Sequence, residues 1–257
     1  SKFVKVRKEK PFYERFEDQI WLLFFQMGFK HLNRDANFKM NYDFNNPDFT
    51  QQIDVFAADD ETILIVECKS SEDLNEVQFK KDIEKLHGQM EGLRKCALKQ
   101  YPGRKVKFIW ATHNCIMSAK DIKRLQEWDI IFFSDSTIQY YSELVKHLGT
   151  CSRYQLLGNL LANTEIKKMQ NKVLAIKGKM GGHEYYEFSI EPEKLLKIGY
   201  VLHRNEANKN MMPTYQRIIK RKRLKEVQSF INDGGYFPNS IIAVSYTHLT
   251  LPTILRV

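Results

Sequence analysis

The sequence predicts a mixed α/β (α+β) fold: a mixed sheet flanked by helices, followed by a second, incomplete α+β segment. Three observations carry this. Short runs rich in Ile, Val and Phe, namely Ile63–Val66, Val106–Ala111 and Ile130–Phe133, read as strands, and the first and third lack polar alternation, as strands buried on both faces do. Segments with helical spacing stand between them, and strand, helix, strand, helix in succession places helices against a sheet. Near Gly149 the character changes, and two further strands are joined by Gly181-Gly182, a hairpin turn signal.

The elements follow in order. Pro11 sits where a first helical turn can begin, apolar residues recur through Phe12, Phe16, Ile20, Leu23, Phe24 and Met27, and Gly28 ends the helix. Asn45-Asn46-Pro47-Asp48 supplies turn chemistry in a polar loop. Asp54-Val55-Phe56 and Ile63–Lys69 then form a hairpin across the turn-prone Ala58-Asp59-Asp60-Glu61. Residues 73–99 read as one long helix, with Leu74, Val77, Ile83, Leu86, Met90, Leu93 and Ala97 on one stripe and Tyr101-Pro102-Gly103 as the stop. After the strand Val106–Ala111, Ser118 is an N-cap, with Asp121 three residues later as an approximate capping box for a helix to about Trp128. A strand at Ile130–Phe133 and a helix from Asp135 to about Leu148 complete this part. Beyond it come an amphipathic helix over 152–170, strands at Lys172–Lys179 and Glu184–Ile190, a short helix from Glu191, a strand at Gly199–His203, and a basic helix over Arg217–Ile231 stopped by Gly234-Gly235. The domains expected are 1–149, 150–243 and a tail, 244–257.

Composition narrows the function classes. The chain of 257 residues is long enough for one large or two medium domains. No apolar run approaches the ~18 residues of a membrane span, and the start, Ser1–Lys8, lacks the apolar core of a signal peptide. Cys68, Cys96, Cys115 and Cys151 have no CxxC spacing, which argues against structural zinc and a disulfide framework and fits a reduced, cytoplasmic setting. The net charge of +9 lies wholly in the second half: residues 1–150 hold 23 basic and 23 acidic residues, and residues 151–257 hold 17 and 8. A basic second half points to a polyanion, DNA first and RNA as the lesser alternative. Arg217, Lys220, Arg221, Lys222 and Arg223 are its densest run, to be weighed against an ordinary solvated helix face.

The chemistry concentrates at the hairpin. Glu67 lies thirteen positions after Asp54, and Lys69 two after Glu67, on the same strand face. A hairpin returns Asp54 and Glu67 to one end. Charged groups at the end of a buried strand are costly unless paired or bound to metal. Two adjacent carboxylates make an oxygen-lined site suited to Mg²⁺, with Mn²⁺ expected to substitute. The alternative is a surface hairpin closed by a Glu–Lys ion pair. His113 and Gln89 are weighed as further candidates, but a histidine beside a strand end is more often hydrogen-bonded structure.

Asp54 and Glu67-Cys68-Lys69 after an apolar strand resemble the PD-(D/E)XK nuclease superfamily of restriction-endonuclease-like folds. The segment from Phe16-Glu17 through Ile20–Phe29 resembles the opening helix of Mrr-type restriction enzymes, with Glu17 eleven positions before Gly28-Phe29 and Glu14 as the lesser alternative. Ile53 stands where the family's naming motif has proline. The resemblance covers roughly 11–145 and implies that Asp54, Glu67 and the carbonyl of Cys68 hold the metal, that Lys69 is the catalytic lysine, and that Glu17 supports the site. It implies an endonuclease hydrolysing DNA phosphodiesters, with a homodimer left open. Residues from about 170 to 243, through Phe230–Ile241, resemble the start of a DGQHR domain, although no Asp-Gly-Gln-His-Arg signature is present. Ser245–Thr253 resembles translated sequencing-adapter read-through, so 244–257 is expected to be a non-native tail. The two likenesses together imply restriction or defence linked to DNA modification.

Overall fold

A computed structural model describes residues 9–43, 45–161, 174–180, 182–192, 194–195 and 221–236. The chain divides into two compact units that part at Thr150 and Cys151.

The first unit is built on a five-stranded mixed sheet flanked by helices. Its strands are β1 (His31–Leu32), β4 (Val55–Ala58), β5 (Thr62–Val77), β6 (Lys105–Met117) and β7 (Ile130–Phe133), lying in that order. The first three are antiparallel neighbours, and β5, β6 and β7 run parallel. A small antiparallel pair, β2 (Lys39–Asn41) and β3 (Thr50–Gln52), precedes β4. The helices are α1 (Phe12–Gln26), α2 (Lys80–Gln100), α3 (Ala119–Glu127) and α4 (Asp135–Leu148).

Strand alternation sorts the core into two layers. Phe56, Ile63, Ile65, Phe108 and Trp110 face Ile83, Leu86, Met90 and Leu93 of α2 and Leu125 of α3. The alternate residues Leu64, Val66, Ile109 and Ala111 are equally buried and turn to the other face. There α1 crosses β4 and β5, burying Phe16, Ile20, Leu23 and Phe24, while α4 lies over β6 and β7. Gly92 lets α2 approach closely: a Cβ there would lie 1.7 Å from the carbonyl oxygen of Tyr42.

Most elements form where the pattern places them. Ser118 accepts the Asp121 amide at 3.1 Å and caps α3, yet the Asp121 carboxylate does not reach back. It is buried, held by Arg124 at 2.6 Å and by the Phe79 amide at 3.1 Å. The long helix needs correction. It starts at Lys80, and residues 73–77 belong to β5. Their apolar spacing suits a helix, but Asn75, Glu76 and Val77 pair with Cys115, Ile116 and Met117 of β6 after an irregularity at Ser70 to Asn75. Leu74, expected on the buried stripe, is 67% exposed. The Asp121 carboxylate takes the Phe79 amide at the junction, fixing where the helix begins. Propensity is a weak prior, and here the neighbouring strand overrides it.

In the second unit the described elements are α5 (Ser152–Leu160), the hairpin β8 (Ile176–Met180) and β9 (His183–Glu187), and α6 (Arg221–Asn232). Leu156 and Leu160 are buried. Gly234, at φ 85°, stops α6 with its amide on the Ile231 carbonyl at 3.0 Å. Arg217, Lys220, the strand expected at Gly199–His203 and residues 244–257 lie outside the described residues.

Candidate active site

The site grows from the β4–β5 register. Val55 pairs with Val66, so the next position outward sets Asp54 across from Glu67. Phe56 and Ile65 belong to the layer under α2, so Asp54, Glu67 and Lys69, at two-residue steps from them, face that side. The Asp54 carboxylate accepts the Cys68 amide at 2.7 Å, closing the hairpin end with a side chain where the strand ladder stops. Lys69 donates to Glu67 at 2.8 Å. Its ammonium lies 5.6 Å from the centre of the Trp110 ring, which forms an apolar floor.

Asn33 ties this corner together. Its Oδ1 accepts the Phe56 amide at 3.0 Å, and its Nδ2 donates to the carbonyls of Asp35 and Asp54 at 3.1 and 3.3 Å. Its own carbonyl takes the Trp21 indole N–H of α1 at 2.9 Å. One buried amide therefore fixes the backbone of Asp54 and docks α1 beside it.

The electrostatics show an under-neutralised pair. Burial, then the charge of Glu67, pushes the Asp54 carboxyl up to about 7, against the opposing pull of the Cys68 amide and Lys69. Burial also raises Glu17, with Glu14 and Glu67 adding to it, so the α1 carboxylate lies within electrostatic reach of the hairpin end. Burial alone would lower Lys69, but Glu67, Asp54 and Asp82 outweigh it and keep the ammonium charged. The Cys68 thiol is buried and pushed well up by burial and the nearby carboxylates. It stays a neutral thiol, leaving the main-chain carbonyl as the donor Cys68 can offer.

Among the described residues, no group of three or more His, Cys, Asp or Glu side chains is arranged to hold a metal ion. The donor set at the hairpin is two carboxylates and a carbonyl. Such hard oxygens fit Mg²⁺, which keeps several waters and uses only one or two carboxylates. A carboxyl pushed up by burial and by an adjacent carboxylate is also a group that a cation relieves. The chemistry of these groups fits such an ion, which Asp54, Glu67 and the Cys68 carbonyl would hold.

The sequence-predicted residues Asp54, Glu67, Cys68 and Lys69 meet at this corner, with Glu17 alongside. Lys222 and Arg223 lie far along the chain on α6 and face solvent, where Lys222 stands 4.0 Å from Glu226. His113 bonds through Nδ1 to Asp135 at 2.5 Å and stacks between Phe12 and Phe16, each ring centre 5.5 Å away, so it joins β6, α4 and α1 as structure. One neighbour of the site had no sequence signal. Asp82, in the first turn of α2, stands 4.0 Å from the Lys69 ammonium. No local pattern marks it, because its place depends on where α2 begins and on how it packs over the sheet.

No protein-family model matches the chain, and no curated protein does. Solved structures give distant likenesses. Protein VC1899 from Vibrio cholerae is 13% identical, with a TM-score of 0.35 over 51% of this chain and 31% of that one, so the chain spans about a third of its length. AF1548, a protein of unknown function, is 15% identical with a TM-score of 0.37, over 57% of this chain and 84% of that one. The small subunit of the heterodimeric restriction endonuclease R.BspD6I is 12% identical with a TM-score of 0.31, over 58% of this chain and 89% of that one. Likenesses this distant say nothing about chemistry.

Proposed function

We propose that the first unit is a metal-dependent endonuclease that hydrolyses DNA phosphodiester bonds. One observation carries the reading: Asp54 and Glu67 stand across from each other at the end of a single buried hairpin, with the Lys69 ammonium bonded to Glu67 and set over the Trp110 ring. Asp54, Glu67 and the Cys68 carbonyl would hold Mg²⁺, or Mn²⁺ in its place. When bound, the ion polarises a phosphate oxygen and makes water more acidic. The Lys69 ammonium, kept charged by its carboxylates, stabilises negative charge that builds on the phosphorus centre and orients the attacking water. Trp110 excludes solvent beneath it, which strengthens that interaction. Glu17 adds a third negative group from α1 and helps to bias the corner towards a cation. The basic second half, with Lys222 and Arg223 exposed, serves to hold DNA through its backbone. Restriction or defence linked to modified DNA is the role we attach to this activity, on the family resemblance.

Plasmid cleavage with Mg²⁺ tests it. EDTA should abolish cleavage, and Lys69→Ala and Asp54→Ala should each lower it by roughly 10²–10³-fold. Undiminished cleavage by both variants would remove the assignment. Cleavage of structured RNA alone would make RNA the substrate. A second reading, a non-catalytic nucleic-acid-binding module with this fold, draws on the Lys69–Glu67 bond, which already neutralises one carboxylate. It expects DNA retention without cleavage at any cation concentration.

A further inference from the structure

The Lys69 ammonium has two carboxylates within reach, on two different elements. Glu67 of β5 accepts it at 2.8 Å, and Asp82 of α2 stands 4.0 Å away. Exposure rises outward from 18% for the Glu67 side chain through 26% for Lys69 to 52% for Asp82. The Trp110 ring bounds the ammonium from below. A lysine is a flexible four-carbon stem carrying a point charge with three donors, so a shift of little more than an ångström changes its principal partner. The same Glu67 is a donor in the cation site proposed above. An ion and an ammonium cannot both make their closest contact with one carboxylate without repelling each other.

We infer that Asp82 is a positioning residue: it takes the Lys69 ammonium when Glu67 turns to a divalent cation, so that Lys69 is an internal counter-ion displaced along a fixed path. This rests on the reading of Asp54 and Glu67 as cation ligands, but not on nuclease activity. Without Asp82 the displaced ammonium would face the ion with only water to receive it, and cation affinity falls. Asp82 also lies in the first turn of α2, where any carboxylate favours the helix, so a single substitution does not separate the two roles.

A double-mutant cycle on Mg²⁺ binding does, measured by calorimetry on the full chain without nucleic acid. Asp82→Asn should weaken Mg²⁺ binding roughly two- to fivefold, the range of an exposed ion pair. Lys69→Met should tighten it, and Asp82→Asn added to Lys69→Met should have little further effect. Equal losses in both backgrounds would show that Asp82 acts only as distant charge, and would overturn the inference, as would no loss or no Mg²⁺ binding at all. If Lys69→Met does not fold, Lys69 ammonium NMR in Glu67→Gln replaces it. Slowed ammonium exchange that persists there and vanishes in Glu67→Gln/Asp82→Asn supports the transfer; rapid exchange in both refutes it. The expected cycle with no DNA cleavage would leave the inference standing and remove the nuclease.

Discussion

Asp54 stores destabilisation, and its removal should make the protein more stable. In the fold its carboxyl ionises near 7, against an ordinary value of 3.8, because burial and Glu67 disfavour the charge. The native state therefore holds this proton more tightly than the unfolded chain does. Below pH 3.8 both states are protonated and the residue costs nothing. As pH rises from 3.8 to about 7 the unfolded chain gives up the proton first, and stability falls; above 7 the loss is complete. At about 1.36 kcal/mol per pH unit the full loss is ~4 kcal/mol. Asp54→Asn keeps an oxygen for the Cys68 amide and cannot ionise. It should be more stable than the wild type by roughly 2–4 kcal/mol at pH 8, shrinking to roughly 1–2 kcal/mol at pH 5. Urea titrations from pH 5 to 8 with EDTA, followed by tryptophan fluorescence, measure this, since Trp21, Trp110 and Trp128 all belong to the first unit. A variant no more stable than the wild type at pH 8, or a difference independent of pH, would refute the account of the pair. Saturating Mg²⁺ should reverse the order, because the cation rewards the ionised carboxylate.

Three further outcomes are expected. Asn33→Ala leaves the buried Phe56 amide without its acceptor and frees the Asp54 backbone; it should cost about 2–4 kcal/mol in urea titrations and lower cleavage as well, whereas a surface asparagine costs little. Gly92→Ala would drive a Cβ into the Tyr42 carbonyl, and should lower stability by about 1–3 kcal/mol with α2 pushed outward; an unchanged melting temperature would contradict the close approach. Neutralising Arg221, Lys222 and Arg223 should flatten the fall of DNA affinity with salt by about one unit of logarithmic slope for each phosphate no longer neutralised, and an unchanged slope in binding titrations would return them to a solvated helix face.

Much of the fold was legible because it is local. The period of α1, the Ser118 cap and the β4–β5 hairpin each rest on residues a few positions apart, so type and boundary follow from the chain itself. The pairing of Asp54 with Glu67 belongs here too, because a short turn fixes hairpin register and register fixes which side chains share an end. Tertiary structure decided the rest. Residues 73–77 carry a helical stripe but are strand, because β6 offers an open edge in parallel register. Asp82 reaches Lys69 from the first turn of α2, which starts at Lys80 rather than about two turns earlier at residue 73. Asn33 reaches Asp54 and Phe56, and His113 reaches Asp135, each more than twenty positions away. Local spacing records which groups one element presents, whereas contacts between elements depend on strand order and packing, which leave no period in the chain.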